Sequence, residues 1–522
     1  MKKLHKSLDL LGRAVRTESA LLAGRPLFGN PAFAFQAARL WLRELRAEPL
    51  PPVRGRMLIS ALRNRTWIEW AGYCACVLRR AGFASTLIYR GSQTASLYRG
   101  PAPVNFWAKL GGIPDLETID LETIAPAEAA VERLHPVARA AAAATLAYDL
   151  HVEEDDLRRD PARYGDAIER AARVSARLGA AFDGLLGERQ FARFLCYSGL
   201  IAESPTLLAV ARARGLTTVC LEGWGWRPGH MIYNLNAPAL EYNVTGWLRA
   251  AGAWDDAKER ETASYLKFLD GERSGDAAWL DNFYRVQRDK TGAQLPAALR
   301  DFLTGPEPVF LLAPNVIGDS SILCRETLFA SQQVWLREIM AWFAQRPGAK
   351  LVVRAHPAEI WMGKKCTLHL GPVARRLAQG QRNVCVIGGE EKVNTFSLIP
   401  YARAGLVWLS SAGVDFVVRG LPAMVAARPK YEGLGIVGEP PTKQDYFATL
   451  ERWLREPERP APQQMLQGRR YLHAVFKGFS FEAGARNYRA TGCVLGGMPN
   501  QAEHDRFYRI LVGDEPMPDV AR

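Results

Sequence analysis

Three apolar runs in the second half of the chain each end in residues suited to binding an anion. Hydroxyl, amide, guanidinium and imidazole groups all donate hydrogen bonds to phosphate oxygens. The runs are short and uninterrupted, as buried parallel strands are. Ligands of such sheets bind at the carboxyl ends of the strands. We therefore predict a phosphate site at these strand ends. Its candidate residues are Asn315, Asp319, Ser320, Arg354, His356, Pro357, Ser410, Ser411 and Gly413.

The dipeptide His356-Pro357 directly follows the second of these predicted strands. Proline restricts the backbone and so limits the positions that the histidine can adopt. Arg354 lies two residues earlier and should point to the same face as His356. Imidazolium and guanidinium groups both form charge-assisted hydrogen bonds with phosphate. We predict that these two side chains hold a phosphate together, and that Glu359 orients the histidine.

The third strand end begins a predicted helix that runs through Val418. The hydroxyls of Ser410 and Ser411 and the N–H groups of the first turn can donate hydrogen bonds to an anion, so we predict an anion site here. Asp415 either stabilises the helix dipole or binds a ligand hydroxyl, and both interpretations stay open. Tyr431, after the next short strand, either contacts a nucleoside or packs with its hydroxyl satisfied.

The first half of the chain offers one carboxylate at a strand end. The predicted strand LTTVCL leads directly into Glu222 and Gly223. A carboxylate at the mouth of a parallel sheet is well placed to act as a general base. The alternative is a carboxylate that caps the next segment or pairs with Arg227.

A second anion site is conceivable near the start of the chain. The predicted strand RMLISAL is followed by Arg63, Asn64 and Arg65 at the start of a helix that Thr66 should cap. Helix N-termini hold anions, but arginines there are as often only solvated. The sequence lacks a GxGxxG motif at this point, so a dinucleotide site is not predicted.

Alternating strand and helix patterns predict an α/β protein with two Rossmann-like, doubly wound domains. A chain of 522 residues is too long for one hydrophobic core. Residues 92–135 are predicted to be irregular, and the charged run HVEEDDLRRD (151–160) is predicted to be solvated surface. The predicted segments are a helical N-terminal segment 1–50, Rossmann-like domains 51–250 and 306–456, a helical connector 251–305 and a helical tail 457–522.

Composition limits the function classes. The net charge of +13 favours either a well-solvated surface or attraction to nucleotide phosphates, acidic glycans or an anionic membrane. The segment Leu4–Val15 interleaves leucine with basic residues, as interfacial helices and plain packing helices both do. Eight cysteines without a CxxC pair predict no zinc or redox site. A cytoplasmic location is expected, with peripheral contact at the inner face of the cytoplasmic membrane.

Two segments of the second half, VVRAHPAE (352–359) and LSSAGVDFVVRGLPAMVAARPKYEGLG (409–435), resemble the capsule polysaccharide biosynthesis family of glycosyltransferases, which includes Kdo transferases. The segment CYSGLIAESPTLLAVARARGLTTVCLEGWG (196–225) resembles the family's strand–Gly–helix–strand–Glu-Gly pattern. The resemblance covers about residues 190–450 and is strongest in its last third. Two departures are Leu221, where relatives often have an acidic residue, and Asp415, where the family has glutamate.

The resemblance implies a GT-B fold, in which an acceptor domain (51–250) and a nucleotide-sugar donor domain (306–456) face each other across a cleft. By that match His356 contacts the donor phosphate, Ser410 and Ser411 bind phosphate or nucleotide, and Glu222 is the base. Neither a metal nor a cofactor is implied. The resemblance favours CMP-Kdo or another CMP-linked acid sugar as donor, and a polysaccharide or glycolipid as acceptor.

Other functions on the same pattern stay open. A nucleotide-sugar epimerase or a polyol-phosphate transferase would use a similar phosphate site. A non-catalytic basic protein could bind glycan or nucleic acid, but no nucleic-acid module is visible, so a nucleic-acid partner is not expected. An inactive family member, or one that contacts membrane or export machinery, is equally compatible with the sequence.

Overall fold

The computed structural model describes residues 39, 42, 43, 45–47, 49–63, 65–97, 106–223, 230–241, 244–250, 252–270, 295–359, 368–482 and 501–513. By contacts the chain divides into two compact units. The first unit comprises residues 1–142, 167–242 and 479–517, and the second unit comprises residues 143–166, 243–478 and 518–522. The predicted helical segment 1–50 lies mostly outside the described residues.

Both units are built on β-sheets whose strands are short and mostly buried. The strands are β1 (Gly55–Ser60), β2 (Phe83–Tyr89), β3 (Leu116–Asp120), β4 (Phe194–Tyr197), β5 (Thr218–Gly223), β6 (His230–Leu235), β7 (Val309–Ala313), β8 (Lys350–Arg354), β9 (Val384–Ile387), β10 (Ala402–Val407), β11 (Ala423–Val425) and β12 (Ser480–Glu482).

Helices connect and cover these strands. They are α1 (Arg65–Arg80), α2 (Gly91–Leu97), α3 (Phe106–Leu110), α4 (Glu128–Leu150), α5 (Glu154–Arg159), α6 (Pro161–Glu188), α7 (Ser204–Ala213), α8 (Val244–Ala250), α9 (Asp256–Asp270), α10 (Ala297–Leu303), α11 (Gln332–Ala344), α12 (Leu370–Leu377), α13 (Ala412–Val418), α14 (Lys443–Arg455), α15 (Pro462–His473) and α16 (Gln501–Val512). Short 3₁₀ helices occupy Leu121–Thr123, Ser320–Ile322 and Thr395–Tyr401, and a π-helix occupies Ala474–Gly478.

The first unit contains a seven-stranded sheet in the order β12-β6-β5-β4-β1-β2-β3. The strands from β5 to β3 are parallel, whereas β6 is antiparallel to β5 and β12 is antiparallel to β6. The strand order reverses between β1 and β4, as it does in doubly wound sheets. Helix α1 buries Trp70 against the sheet, where its ring stacks on Phe507 of α16 at 5.6 Å between centroids. The end of the chain therefore completes the core of the first unit.

The second unit contains a five-stranded parallel sheet in the order β11-β10-β7-β8-β9. Every residue of β7 is buried, because helices cover both faces of a parallel sheet. The strand order reverses between β7 and β10. Helix α11 packs Trp335 into this core, and the indole N–H donates to the hydroxyl of Tyr446 from α14 at 3.0 Å.

The predicted α/β class with two Rossmann-like sheets is confirmed. Residues 92–135 were wrongly predicted to be irregular, since they contain β3 and several helices. The sequence LETID of β3 offered only a weak apolar signal, because none of its residues is fully buried. The contact-based units also differ from the predicted boundaries at three places. Residues 143–166 and 243–250 of the predicted first domain fall in the second unit, and residues 479–513 of the predicted tail fall in the first.

The buried pair of Trp335 and Tyr446 gives a stability prediction. Tyr446→Phe removes the only acceptor that the described residues show for the indole N–H, in a site where both side chains are fully buried. Because a buried donor is left unsatisfied, we expect a loss of about 1–3 kcal/mol in unfolding free energy. Urea denaturation followed by tryptophan fluorescence measures it. The control Tyr164→Phe, at a half-buried position, should change stability by less than about 0.5 kcal/mol. Equal effects of the two substitutions would contradict the assignment.

Candidate functional site

The three predicted strand ends of the second unit lie at the same edge of one sheet. Strands β10, β7 and β8 are direct neighbours, with Leu406 opposite Leu312 and Leu312 opposite Val353. Because the strands are parallel, the segments that follow them start from the same edge. Five of the predicted side chains there are at least partly open to solvent. These are Asp319, Ser320, His356, Ser410 and Ser411.

Asn315 joins the ends of β7 and β10. Its Oδ1 accepts a hydrogen bond from the backbone N–H of Leu409 at 3.3 Å, and its own N–H donates to Oε1 of Gln332 at 2.9 Å. The side chain is buried. Asn315 therefore closes the point where the strand order reverses. The sequence pattern predicted that Asn315 binds the donor, and it did not identify Gln332.

His356 has a defined orientation. Its Nδ1 accepts a hydrogen bond from the backbone N–H of Ala358 at 3.1 Å. A neutral imidazole that accepts through Nδ1 carries its proton on Nε2. Pro357 is buried beside it. The imidazole thus has a donor at Nε2 while its ring is fixed through Nδ1, an arrangement suited to a phosphate oxygen.

Glu359, which was predicted to orient this histidine, has another position. Its Oε1 accepts from the N–H of Leu370 at 2.9 Å, and its Oε2 accepts from Gly371 at 3.2 Å. The carboxylate therefore caps α12. Burial raises the pKa of Glu359, and the two backbone hydrogen bonds act in the opposite direction.

The prediction that Arg354 contacts a phosphate is corrected by its burial. The side chain is 1% exposed. Its Nη1 donates to the carbonyls of Ala355 and Gly388, and Nη2 donates to the carbonyl of Val393 at 3.1 Å. These hydrogen bonds tie the end of β8 to the segment after β9. Burial lowers the pKa of Arg354 to about 10, so the group remains a cation at neutral pH.

Tyr431 and Asp415 also turn inward, so of the two interpretations left open for each, the structure favours packing over contact with the donor. Tyr431 is buried and its hydroxyl donates to the carbonyl of Ser410 at 2.6 Å. Burial raises the pKa of Tyr431 well above its usual value, as do the nearby carboxylates of Glu439 and Asp415. Asp415 is buried as well, and its Oδ1 lies 3.4 Å from Nη1 of Arg419.

Gly413 is part of the same packing and is not a ligand contact. A Cβ atom at this position would lie 2.8 Å from the hydroxyl of Tyr431 and 3.0 Å from Cγ2 of Val407. Glycine therefore lets the first turn of α13 approach the end of β10. Gly413 thus leaves room for the Tyr431 hydroxyl that holds the Ser410 carbonyl.

The remaining predicted residues shape the loops. Oδ1 of Asp319 accepts from the N–H of Ser321 at 2.8 Å and begins the 3₁₀ helix that contains Ser320. Oγ of Ser410 accepts from the N–H of Ala412 at 3.2 Å. Ser411 is the N-cap residue of α13, and its side chain makes no capping hydrogen bond among the described residues. Its half-buried hydroxyl can therefore serve a ligand.

In the first unit, Glu222 is held by a residue that sequence reasoning did not assign. Its Oε2 accepts from the hydroxyl of Ser198 at 2.7 Å, and the carboxylate residue is 8% exposed. Ser198 follows β4 and has a φ of 51°, a left-handed conformation that is unfavourable for serine. The sequence signal for this contact was the pair of consecutive strands β4 and β5, because adjacent parallel strands bring the residues after their ends close together. The alternative partner Arg227 lies outside the described residues.

The predicted arginine site of the first unit is only partly described. Arg63 has a φ of 77°, and its N–H donates to Oε1 of Gln93 at 3.0 Å while Nε2 of Gln93 donates back to the carbonyl of Arg63 at 2.7 Å. Gln93 therefore fixes this turn. Asn64 and the side chain of Arg65 lie outside what the structure describes.

In the part of the chain that the structure describes, no group of three or more His, Cys, Asp or Glu side chains could hold a metal ion. No helix among the described residues is long and apolar enough to cross a membrane.

Comparison with known families addresses the second unit. Residues 279–471 match the family model described as capsule polysaccharide biosynthesis protein. This segment therefore resembles the capsule polysaccharide biosynthesis family. The resemblance predicted from VVRAHPAE and LSSAGVDF is thereby confirmed, and both motifs lie within the matched residues. Residues 190–278, including Glu222, lie outside the match. No curated protein matches the chain significantly.

Among solved structures, the chain is similar to two of Thermosulfurimonas dismutans KpsC. The beta Kdo 2,7 transferase is 14% identical, over 64% of this chain and 89% of that chain, with a TM-score of 0.35. The beta Kdo 2,4 transferase is 17% identical, over 62% and 88%, with a TM-score of 0.33. CalG4, the calicheamicin glycosyltransferase, is 14% identical, over 89% and 100%, with a TM-score of 0.26. At these scores we draw no functional conclusion from the likenesses.

The packing at Gly413 can be tested directly. Glycine to alanine in an open helix stabilises by about 0.5–1 kcal/mol, whereas Gly413→Ala should destabilise by about 1–3 kcal/mol through overpacking. The double variant Gly413→Ala/Tyr431→Phe should recover part of that loss, because the phenolic oxygen is gone. The unfolding free energies of the four combinations measure the coupling. Gly165→Ala in α6, where the added Cβ meets no described atom within 4 Å, serves as control. Additive losses would contradict the contact.

Proposed function

We propose that the protein is a nucleotide-sugar-dependent glycosyltransferase that extends a capsule or surface polysaccharide, or a glycolipid. The observation that carries this is the position of His356, Ser410 and Ser411. They follow β8 and β10, the two parallel strands on either side of β7, in the segment that matches the capsule polysaccharide biosynthesis family model. The second unit then binds the donor, with its phosphate at the ends of β7, β8 and β10.

The proposed chemistry is stabilisation of a leaving nucleotide phosphate. As the glycosidic bond breaks, negative charge develops on the phosphate. The Nε2–H of His356 and the hydroxyls of Ser410 and Ser411 donate hydrogen bonds to that charge. The Arg354 cation acts indirectly, because its side chain holds the loop that carries His356.

Glu222 is the proposed general base of the reaction. An acceptor hydroxyl is a poor nucleophile until its proton is removed. The hydrogen bond from Ser198 fixes the orientation of the carboxylate, which is the group that would accept the proton. This role rests on the resemblance of the Glu222-Gly223 motif and on the orientation that Ser198 imposes.

The finer identity of the substrates belongs to the same proposal. We take CMP-Kdo or another CMP-linked acid sugar as the first donor to test, because the resemblance favours it. The acceptor is a growing polysaccharide or glycolipid. Peripheral contact with a membrane or with export machinery is consistent with the basic charge of +13.

A nucleotide panel tests the donor site. Thermal unfolding is measured for wild type, His356→Ala and Ser411→Ala with CMP, CDP, UDP, GDP and ADP. A nucleotide at about 100 times its Kd should stabilise wild type by roughly 2.7 kcal/mol, a shift of a few degrees. Both variants should lose most of that shift. His135→Ala is the matched control, since His135 is also half-buried and hydrogen-bonded to a neighbour, Glu169, at 2.8 Å.

The base on the stabilising nucleotide identifies the class of donor. CMP would indicate transfer of Kdo or a related acid sugar, and UDP or GDP transfer of a hexose. If no nucleotide shifts folded wild type, the donor site is refuted and a non-catalytic glycan-binding protein is favoured. Turnover of the donor without an acceptor would favour an epimerase instead.

Glu222→Gln tests the proposed base separately. The variant keeps the shape of the side chain and can still accept a hydrogen bond from Ser198. With the donor identified by the panel and an acceptor glycan, nucleotide release should fall about 10²–10⁴-fold, while the nucleotide Kd stays within two-fold. Glu128→Gln, at an exposed position, should leave both quantities unchanged. Full turnover by Glu222→Gln would remove Glu222 from the mechanism.

A further inference from the structure

The charged run at residues 151–160 is not the solvated surface that its composition predicts. Glu153 and Asp155 are each only 7% exposed, and both lie in the second unit. A buried carboxylate needs hydrogen-bond partners, because removing it from water is unfavourable. The partners of Glu153 show what this segment does.

Glu153 satisfies the start of helix α11. Its Oε1 accepts from the backbone N–H of Gln332 at 2.6 Å, and its Oε2 accepts from that of Gln333 at 3.1 Å. Ser331 provides the third acceptor, since its Oγ accepts from the N–H of Val334 at 3.2 Å. The first three N–H groups of α11 are therefore all paired. A negative charge at this helix end is also favoured by the helix dipole.

The same helix start leads to the candidate donor site through hydrogen bonds. Gln332 is fully buried, and its Oε1 accepts from the N–H of Asn315. Asn315 in turn accepts from the N–H of Leu409, the residue before Ser410. A continuous path of three hydrogen-bonded steps thus joins Glu153 to the ends of β7 and β10.

Neighbours of Glu153 hold the loop after β7 at further points. Oε1 of Glu154 accepts from the N–H of Cys324 at 3.1 Å. His151 packs against Gly318 so closely that a Cβ at that glycine would lie 2.1 Å from the imidazole Nδ1. Nε2 of Gln333 lies 3.3 Å from both carboxylate oxygens of Asp156. The segment 151–156 therefore contacts the loop that contains Asp319 and Ser320 at Gly318 and Cys324, and it contacts the start of α11, which follows that loop.

We propose that Glu153 is a positioning residue for nucleotide binding, acting through Gln332 and Asn315 on the ends of β7 and β10. This inference rests on the proposed donor site. Glu153 does not itself contact the nucleotide. It fixes the helix start whose Gln332 side chain holds Asn315, and Asn315 fixes the backbone from which Ser410 and Ser411 extend. The residue comes from a part of the sequence remote from the family motifs, within a segment that sequence composition assigns to solvent.

Burial dominates the electrostatics of this carboxylate. It raises the pKa of Glu153 to about 7, while the hydrogen bonds from Gln332 and Gln333 act to lower it. Burial thus opposes ionisation of this carboxylate, and the backbone hydrogen bonds favour it. Removing it would leave two backbone N–H groups without their partners.

The test measures loop order and nucleotide affinity in Glu153→Ala, Glu153→Gln and the control Glu128→Gln. Amide hydrogen exchange is measured for peptides covering residues 314–325 and 332–336. We expect at least ten-fold faster exchange in both peptides for Glu153→Ala, and no change for the control. Glutamine still accepts from one N–H group, so Glu153→Gln should show an intermediate increase.

Titration with CMP and with UDP, well below the unfolding temperature, gives the functional readout. The Kd of the nucleotide that binds wild type should rise about ten-fold or more in Glu153→Ala and be partly restored in Glu153→Gln. A lower Tm with unchanged exchange at residues 314–325 or unchanged Kd would overturn the inference and leave Glu153 as an ordinary helix cap. If wild type binds neither of these nor any other nucleotide of the thermal panel, the proposed donor site fails. The exchange data then still show whether Glu153 orders the loop, and unchanged exchange would overturn that step too.

Discussion

The second unit depends on the hydrogen bond between the Asn315 amide oxygen and the backbone N–H of Leu409, which lies where the strand order reverses between β7 and β10. At a reversal of strand order, the chain leaves two neighbouring parallel strands in opposite directions, so a crevice opens between the departing segments. The backbone groups just beyond the strands no longer have ladder partners and must be satisfied in another way. Asn315 does this for the end of β10, and Gln332 does it for Asn315.

Around this point, polar groups have two different tasks. One set of residues is buried and fixes the positions of the loops. Three of them, Arg354, Glu359 and Tyr431, form hydrogen bonds with backbone groups, and Asp415 pairs with Arg419. His356, Ser410 and Ser411 remain partly open to solvent and are the groups that a ligand can reach. A site of this kind keeps its geometry without ligand, because the supporting hydrogen bonds are already formed. Preorganised donors of this kind are what stabilisation of a departing phosphate requires.

The sequence predicted the fold class, and it predicted that the candidate side chains follow buried strands, for a physical reason. Buried parallel strands appear as short apolar runs, and ligand-binding side chains follow them, so both can be found by inspection. It did not reveal which polar residues turn inward. Arg354 and His356 are two residues apart, and only the positions of the carbonyls of Gly388 and Val393 decide that the arginine is buried. Similarly, nothing local distinguishes Glu153 from its charged neighbours, because its partners are about 180 residues away in the chain. The strands β3, β6, β9 and β12 were missed; β3 and β9 are mostly half-buried, and β12 is only three residues long.

The central claim is that the ends of β7, β8 and β10 form a nucleotide site, and a hydrogen-exchange footprint of wild type with saturating nucleotide tests it most directly. The account predicts slower exchange in peptides covering residues 314–321, 355–359 and 408–413, with no change across β11 and α14 at residues 423–455. Protection confined to the first unit, or unchanged exchange at all three strand ends while the nucleotide is demonstrably bound, would contradict it.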